Sequence, residues 1–412
     1  MRSVACALVM MVASGWAGAG DSSPVVAAVA TSEPAPMLAA TPPMGWSTWN
    51  HYAHAISDKL IREQADAMVA SGMKDAGYVY VHIDGGWEGQ RDAKGELHPL
   101  PSFPDMKALG DYIHSKGLKF GLYSGPGPVT CAGAEASYGH EEQDAAMFAR
   151  WGVDYLKYDL CSYRIIMQQE SGGDVTKAEA MMRAAYEKMH QAILKTGRPM
   201  VFSMCQYGLG EVWTWGPQVG GNMWRTSNDI NDTYERMMSI ADRQARLARY
   251  AGPGHWNDPD FLEVGNGGMS YEEQKTHFSM WALMAAPLMA GNDLTRMSEE
   301  TKSILLNREV IAVDQDALGK AGDRVWQEGP LEVWAKPLSG GEVAVGLVNQ
   351  TTSATHVTVR LADAGINGDA QARDLWEHKD LGVVRGSYTA EVPGHGVVMV
   401  RLKPQPSGTR SR

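Results

Sequence analysis

The chain has 412 residues, of which 44% are hydrophobic and 21% are charged. This composition can bury a large core and excludes a disordered or fibrous protein, and the length favours one large domain with a smaller one. Acidic residues outnumber basic ones 48 to 37, for a formal charge of −11. Because a surface of that sign repels phosphate, no nucleic-acid or anionic-membrane partner is expected.

The first 20 residues have the pattern of a secretory signal peptide. Arg2 provides a positive start, residues 4–12 are apolar, and residues 17–19 are small enough for cleavage. The apolar run is too short to cross a bilayer, and residues 21–40 resemble a flexible leader rich in Ala, Ser and Pro. We therefore expect a secreted or periplasmic protein that does not insert into a membrane after cleavage.

Removal of the signal peptide leaves three cysteines, Cys131, Cys161 and Cys205. Three cysteines allow at most one disulfide and leave one thiol free, and an oxidising compartment permits that bridge. No pair has Cys-x-x-Cys spacing and the histidines are scattered, so no zinc site is expected.

Short apolar runs alternate with amphipathic stretches over residues 41–322. The runs predict eight strands, at residues 44–49, 79–83, 119–123, 155–158, 200–203, 222–224, 255–257 and 287–290. Helical stretches between them include residues 58–70, 106–115, 141–150 and 177–194. Alternation of this kind indicates parallel pairing with right-handed crossovers, and eight units fit a (β/α)8 TIM barrel better than an open sheet.

The pattern changes at about residue 322. Residues 323–402 contain alternating or apolar runs at 331–335, 343–348, 356–361 and 397–402, with no helix-length stretch between them. This predicts a C-terminal antiparallel β-sandwich domain, followed by a polar tail over residues 403–412.

Polar side chains gather at the predicted carboxyl ends of the barrel strands, where the reactive groups of such barrels lie. These residues are Trp46, Asn50, Asp84, Tyr123, Lys157, Asp159, Cys205, Gln206, Arg225, Asp229, Asp258 and Asp260. The set is rich in carboxylates and includes no Ser/His pair, phosphate-binding loop or His-Glu-x-x-His helix. Two carboxylates that face each other across a pocket are what cleavage of a glycosidic bond requires.

Asp159 and Asp229 are the candidate pair. Lys157 lies on the same side of its strand as Asp159, so its ammonium is expected to keep that carboxylate ionised, as a nucleophile requires. Asp229 lies in a turn rich in Asn and Asp, which suits a proton donor. Plainer interpretations remain open: Lys157 is also a candidate structural ion-pair partner, an Asp at a strand end often caps a helix, and residues 257–260 fit a capped turn.

Four longer motifs occur in order along the chain, at residues 44–50 (MGWSTWN), 155–161 (YLKYDLC), 224–230 (WRTSNDI) and 254–260 (GHWNDPD). Together they resemble glycoside hydrolase family 27, the alpha-galactosidase and alpha-N-acetylgalactosaminidase family, and most closely its bacterial-type alpha-galactosidases. The resemblance covers about residues 41–402. It implies a retaining mechanism on a TIM barrel that precedes an antiparallel β domain.

By motif match, the resemblance makes Asp159 the nucleophile and Asp229 the acid/base. It implies sugar contacts at Trp46, Asp84, Tyr123, Lys157, Arg225 and, in the fifth loop, Cys205 and Gln206. It also implies a disulfide between Cys131 and Cys161, no metal, no organic cofactor, and a galactose-containing oligosaccharide or polysaccharide as partner.

Two positions depart from the family pattern. The family usually has two adjacent acids after its second strand, whereas here Asp84 is followed by Gly85. A charged acceptor for a sugar hydroxyl is worth about 1.5–3 kcal/mol, so this change bears on the preference for galactose. Gln206 stands where galactosidases commonly carry Glu and N-acetylgalactosaminidases a smaller Ser, and its length argues against room for an N-acetyl group.

The sequence therefore predicts a retaining, exo-acting alpha-galactosidase. The alternatives are a beta-L-arabinopyranosidase or an isomalto-dextranase of the same family, or a catalytically inactive carbohydrate-binding protein.

Overall fold

A computed structural model describes residues 37–405. The predicted signal peptide, most of the predicted leader and most of the predicted tail lie outside these residues. In this part of the chain no helix combines the length and the apolar character needed to cross a membrane.

The strands, in chain order, are β1 (Met44–Ser47), β2 (Tyr80–His82), β3 (Glu88–Arg91), β4 (Leu97–Pro99), β5 (Lys119–Ser124), β6 (Tyr155–Asp159), β7 (Val201–Cys205), β8 (Met223–Arg225), β9 (Trp256–Asp258), β10 (Leu288–Ala290), β11 (Asp323–Glu328), β12 (Leu331–Pro337), β13 (Val343–Asn349), β14 (Thr355–Arg360), β15 (Ala370–Asp374), β16 (Lys379–Val384), β17 (Ser387–Val392) and β18 (Val397–Pro404). The α-helices are α1 (Trp49–Tyr52), α2 (Asp58–Ala70), α3 (Met73–Ala76), α4 (Met106–Ser115), α5 (Glu141–Trp151), α6 (Tyr163–Ser171), α7 (Val175–Lys195), α8 (Tyr234–Gln244), α9 (Tyr271–Met284), α10 (Glu299–Leu305) and α11 (Arg308–Asp314).

Eight strands form one parallel sheet in the order β10-β1-β2-β5-β6-β7-β8-β9. The ring closes just after β9, where Leu262 makes a parallel bridge to Ala290 of β10. The Leu262 N–H donates to the Met289 carbonyl at 2.8 Å, and the Gly291 N–H donates to the Leu262 carbonyl at 2.9 Å. The predicted (β/α)8 barrel is confirmed, and each predicted strand overlaps an observed one.

The barrel strands are short because polar turns follow them directly. Strands β6 and β7 are buried at every position, as expected for parallel strands that are covered on both faces. The first predicted strand extends two residues too far, because helix α1 begins at Trp49. The hairpin of β3 and β4, in the loop after β2, was not predicted, since its residues are mostly polar.

The C-terminal domain contains a six-stranded antiparallel sheet in the order β11-β12-β13-β18-β15-β16 and a two-stranded sheet of β14 and β17. The predicted antiparallel β domain is confirmed, and its four predicted runs correspond to β12, β13, β14 and β18. Strands β11 and β16 bury none of their residues fully. No apolar run marks them in the sequence for that reason.

Helix α9 joins the two parts of the molecule. It begins with a capping box between Ser270 and Glu273, and every residue from Thr276 to Met284 is buried. From the C-terminal domain, the indole N–H of Trp376 donates to the Ser279 hydroxyl of α9 at 2.9 Å. A Cβ at Gly346 of β13 would lie 2.5 Å from Cδ1 of Leu283, so a glycine there permits the close packing.

Candidate active site

A cavity of about 540 Å³ opens at the carboxyl ends of the barrel strands. Most of the residues predicted from strand ends lie on its walls, namely Asn50, Asp84, Tyr123, Lys157, Asp159, Arg225, Asp229 and Asp260. The fold thus brings carboxylates from β6 and from the loops after β2, β8 and β9 to one opening.

Three of the predicted sugar-contacting residues do not line this cavity in the described structure. Trp46 is fully buried, and its indole N–H donates to the Asn292 carbonyl at 2.7 Å. Its ring therefore packs in the interior instead of presenting a face to the opening, and Trp49 of α1 lines the cavity. Cys205, which ends β7, and Gln206, which follows it, are likewise buried.

Asp159 ends β6 and is held by two tyrosines. The Tyr207 hydroxyl donates to Oδ1 at 2.7 Å, and the Tyr123 hydroxyl donates to Oδ2 at 3.3 Å. Burial raises the pKa of Asp159, while the Lys157 charge and the Tyr207 hydrogen bond act in the opposite direction. The Lys157 charge therefore acts on Asp159 in the predicted direction, although burial has the larger effect on its pKa.

Lys157 pairs with Asp84, whose Oδ2 lies 2.8 Å from Nζ. Burial would raise the pKa of Asp84, but the charges of Lys157 and His82 hold it below its ordinary value. Burial would lower the pKa of Lys157, but Asp84 above all raises it. Both groups are therefore charged, and both line the cavity, so the ion-pair interpretation of Lys157 and the sugar-contact interpretation are compatible.

Arg225 ends β8 and is almost fully buried. Its Nη2 lies 2.7 Å from Oδ1 of Asp229 and 2.6 Å from Oδ2 of Asp260. The side chain of Asp229 is 73% exposed, whereas that of Asp260 is 4% exposed. Asp260 is fixed further by the backbone N–H groups of Ile230 and Phe261, each donating at 2.8 Å. Asp229 is thus an exposed carboxylate that is held by a buried and well-anchored arginine.

Tyr207 and Glu263 are two polar groups on the cavity wall that sequence reasoning missed. Tyr207 carries no signal by itself, because it follows β7 in a turn where many residue types occur. Glu263 follows the barrel closure, and its two oxygens accept from the side-chain amides of Asn50 and Asn266, each at 2.5 Å. Burial raises the pKa of Glu263 to about 7, against the effect of these two amides.

The structure contains the disulfide between Cys131 and Cys161 and leaves Cys205 as a buried free thiol. The bridge joins the loops after β5 and β6, and Sγ of Cys161 lies 3.2 Å from the Tyr123 hydroxyl. Cys131, Asp159 and Cys161 lie close enough to suggest a metal site in the described residues. The two cysteines are bonded to each other, however, and have no thiolate to offer, so this group does not fit a metal.

The two departures from the family pattern have a structural counterpart. A Cβ at Gly85 would lie 3.3 Å from the Ala132 Cβ and 3.3 Å from Cε1 of Tyr123, so these groups border the space where a second acid would begin. Both side-chain amide atoms of Gln206 are buried and have no hydrogen-bond partner among residues 37–405. Its capacity for hydrogen bonds is therefore unused.

The fold and the carboxylate-lined cavity are those of a glycoside hydrolase. The family described as "Alpha galactosidase A" matches residues 41–316, and the family described as "Alpha galactosidase C-terminal beta sandwich domain" matches residues 328–402. Alpha-galactosidase 2 of Arabidopsis thaliana is 48% identical over 89% of this chain and 90% of its own length.

Solved structures agree with these matches. Alpha-galactosidase I from Mortierella vinacea superposes with a TM-score of 0.85 at 36% identity, over 90% of this chain and 99% of that one. An alpha-galactosidase from Saccharomyces cerevisiae, solved with raffinose, gives a TM-score of 0.83 at 28% identity, over 89% of this chain and 98% of that one.

The chain belongs to the alpha-galactosidase family, glycoside hydrolase family 27. The predicted resemblance and the predicted enzyme class are confirmed. The relatives favour alpha-galactosidase over the arabinopyranosidase, the isomalto-dextranase and the inactive binding protein.

Proposed function

We propose that this chain hydrolyses terminal alpha-linked galactose by double displacement, with Asp159 as the nucleophile and Asp229 as the acid/base. The observation that carries the proposal is that these two carboxylates line the same cavity at the mouth of the barrel. Their environments differ, since Asp159 is buried between tyrosines and Asp229 extends into solvent. A retaining mechanism requires two carboxylates at one opening, one that bonds to C1 and one that exchanges a proton.

In the first step, Asp229 gives its proton to the glycosidic oxygen as the bond from C1 to that oxygen breaks. A carboxylate oxygen of Asp159 bonds to C1 from the opposite face. In the second step, Asp229 takes a proton from water, whose oxygen bonds to C1 while the ester to Asp159 breaks. Two inversions at C1 leave the released sugar in its original alpha configuration.

The ring hydroxyls of the terminal sugar are held by the charged pair of Asp84 and Lys157. The carboxylate accepts from a hydroxyl and the ammonium donates to one, and charge-assisted hydrogen bonds of this kind are strong and directional. Nζ of Lys157 also lies 5.0 Å from the Phe261 ring centroid and 5.3 Å from that of Tyr123. These rings hold the ammonium in place, so it is a preorganised hydrogen-bond donor for a sugar hydroxyl.

A cavity at the mouth of the barrel suits a substrate that enters by its end, so we propose galactose-containing oligosaccharides and the galactosyl ends of polysaccharides. Raffinose, which the Saccharomyces cerevisiae structure contains, supports the oligosaccharide class. We also propose export, on the signal-peptide pattern of residues 1–20. Mass spectrometry of the enzyme recovered outside the cytoplasm tests this, because the signal peptide should be missing from it. Exported enzyme that still carries residues 1–20 would contradict the proposal.

Chemical rescue separates the two catalytic roles. Asp159→Ala and Asp229→Ala should each lower turnover of nitrophenyl alpha-galactoside by orders of magnitude with the fold intact. Added azide should then give beta-galactosyl azide with Asp159→Ala, because one inversion remains. With Asp229→Ala it should give alpha-galactosyl azide, because azide replaces water in the second step.

Asp111→Ala serves as the matched control, since Asp111 lies on the exposed face of α4 and pairs with Lys107. Its turnover should equal that of the parent enzyme. Near-parental activity of Asp159→Ala or Asp229→Ala, or azide products with the two configurations exchanged, would overturn the assignment.

A further inference from the structure

The two carboxylate oxygens of Asp159 have unequal partners. Tyr207 donates to Oδ1 at 2.7 Å, which is an optimal distance for a hydroxyl donor, whereas Tyr123 lies 3.3 Å from Oδ2, beyond the usual range. Tyr123 also has other partners. Its hydroxyl accepts from the Cys131 N–H at 3.4 Å and lies 3.2 Å from Sγ of Cys161. Oδ1 is therefore held firmly, and Oδ2 is held weakly.

The side chain of Tyr207 is itself fixed. Its ring lies under the guanidinium of Arg164, 4.3 Å from the ring centroid, and the guanidinium of Arg225 is 5.6 Å away. The backbone at Tyr207 has a φ of 62°, an uncommon conformation for a residue with a side chain and one that clusters at functional sites.

The next residue explains how this backbone is held. The Gly208 N–H donates to the Arg225 carbonyl at 2.9 Å. A Cβ at Gly208 would lie 2.5 Å from the Thr226 carbonyl oxygen, so the turn packs directly on the chain that follows β8. Strand β8 also carries Arg225, the partner of Asp229. The positions of the two candidate catalytic carboxylates are thereby linked through one turn.

We propose that Tyr207 is a positioning residue that holds Oδ1 of Asp159 and leaves Oδ2 as the oxygen that bonds to C1. This rests on the proposed role of Asp159 as nucleophile. In the first step, the bond from Oδ2 to C1 forms as the bond from C1 to the leaving oxygen breaks, and Oδ1 becomes the carbonyl oxygen of the ester. Tyr207 keeps its proton and donates to Oδ1 throughout. In the second step, the bond from C1 to Oδ2 breaks, and the hydrogen bond strengthens as negative charge returns to the carboxylate.

The charged and titratable groups around Tyr207 are consistent with a hydroxyl that stays protonated and donates its hydrogen bond throughout the reaction. They are the carboxylates of Asp159 and Asp229, the cations of Arg164 and Arg225, and the thiol of Cys205. Burial, followed by the negative neighbours, raises the pKa of Tyr207 well above its ordinary value. The hydroxyl therefore does not release its proton in the working range of the enzyme.

Tyr207→Phe tests this, because it removes the hydroxyl and keeps the ring under Arg164. A hydrogen bond to a charged group is worth enough that kcat/KM for nitrophenyl alpha-galactoside should fall roughly 10- to 100-fold. The loss should lie in kcat, with KM changed by less than about threefold, since the hydroxyl donates to Asp159. The acid limb of kcat/KM against pH should move up by about one pH unit, because an Asp159 without this donor takes up a proton more readily.

Tyr112→Phe is the matched control. Its hydroxyl donates to Asp66 at 2.8 Å and its ring lies near Arg62 and Lys116, but on the barrel exterior. It should leave kcat, KM and the acid limb unchanged. Parental kinetics in Tyr207→Phe, or a rise in KM with an unmoved acid limb, would overturn the positioning role. Activity retained by Asp159→Ala would instead overturn the proposed function itself, so the two failures are distinguishable.

Discussion

Arg225 contacts Asp229 through the same nitrogen that contacts Asp260, at 2.7 Å and 2.6 Å. Asp229 is exposed and Asp260 is buried. Because the buried pair of Arg225 and Asp260 is fixed, the contact with Arg225 restrains the exposed carboxylate of Asp229. A general acid/base must be positioned within reach of the leaving oxygen, and the contact with Arg225 restrains Asp229 in this way.

Asp260→Asn should weaken that restraint, because the buried guanidinium loses its charged partner. We expect kcat/KM for melibiose to fall about 10-fold or more, since a misplaced acid costs part of the 10²–10⁴ that general acid catalysis contributes. Dinitrophenyl alpha-galactoside, whose leaving group needs no proton, should be affected much less. Equal losses on the two substrates would show that Asp260 acts on the sugar site or on folding instead.

Glu88 of β3 should make folding stability depend on pH. Burial raises its pKa to about 8 from 4.5, against hydrogen bonds from backbone N–H groups, including that of Gly86 at 2.7 Å. Between these values the unfolded chain has released the proton and the folded chain retains it. The contribution of Glu88 to stability is therefore full below pH 4.5 and is lost as pH rises through 8, at up to about 1.4 kcal/mol per pH unit.

Glu88→Gln removes this titration. The free energy of unfolding of the variant, relative to that of the parent, should rise steadily between pH 5 and 8 in denaturant titrations. A difference that does not change with pH would contradict the raised pKa of Glu88.

The disulfide closes a loop between residues that are 30 apart in the chain. The double substitution of Cys131 and Cys161 by Ser should cost about 3.7 kcal/mol of stability, on the entropy of a loop of this length. It should also lower kcat, because both cysteines contact the Tyr123 hydroxyl that reaches Asp159. Thermal unfolding and steady-state kinetics of the double variant measure the two effects, and parental kcat would argue that Tyr123 is held by other contacts.

Gly85→Ala should push against Tyr123, because the new methyl would lie 3.3 Å from its ring and 3.3 Å from the Ala132 Cβ. We expect a loss of a few-fold in kcat/KM as the weak hydrogen bond from Tyr123 to Asp159 is disturbed. Adding Ala132→Gly should restore part of the loss by giving the methyl room. A double variant no better than Gly85→Ala would show that the contact with Ala132 is not the cause.

The sequence sufficed for most of the fold, and the reasons are local. Apolar runs ended by polar turns mark the barrel strands, and a strand end is where a side chain such as Asp84 or Arg225 must meet the opening. Strands β11 and β16, in which no residue is buried, and the polar hairpin of β3 and β4 carry no such pattern, so only tertiary context defines them.

The limits of prediction in the site are also physical. The spacing of Lys157 and Asp159 correctly places both on one side of β6, but it does not show that Asp84, 73 residues earlier in the chain, lies nearer to the ammonium. Trp46 is on a strand that ends at the cavity, yet depth along a strand decides whether a ring faces the opening or the interior. Tyr207 is significant only through its distance to Asp159.

The ring of strands is joined between β9 and β10 by the bridge from Leu262 to Ala290, and that seam lies between Asp260 and Glu263, two residues of the cavity wall. A small parting of the seam on warming would displace Asp260 from Arg225 while the ladders elsewhere stayed paired. On heating, turnover should therefore be lost at a lower temperature than the helical circular-dichroism signal, and this loss of turnover should be reversible.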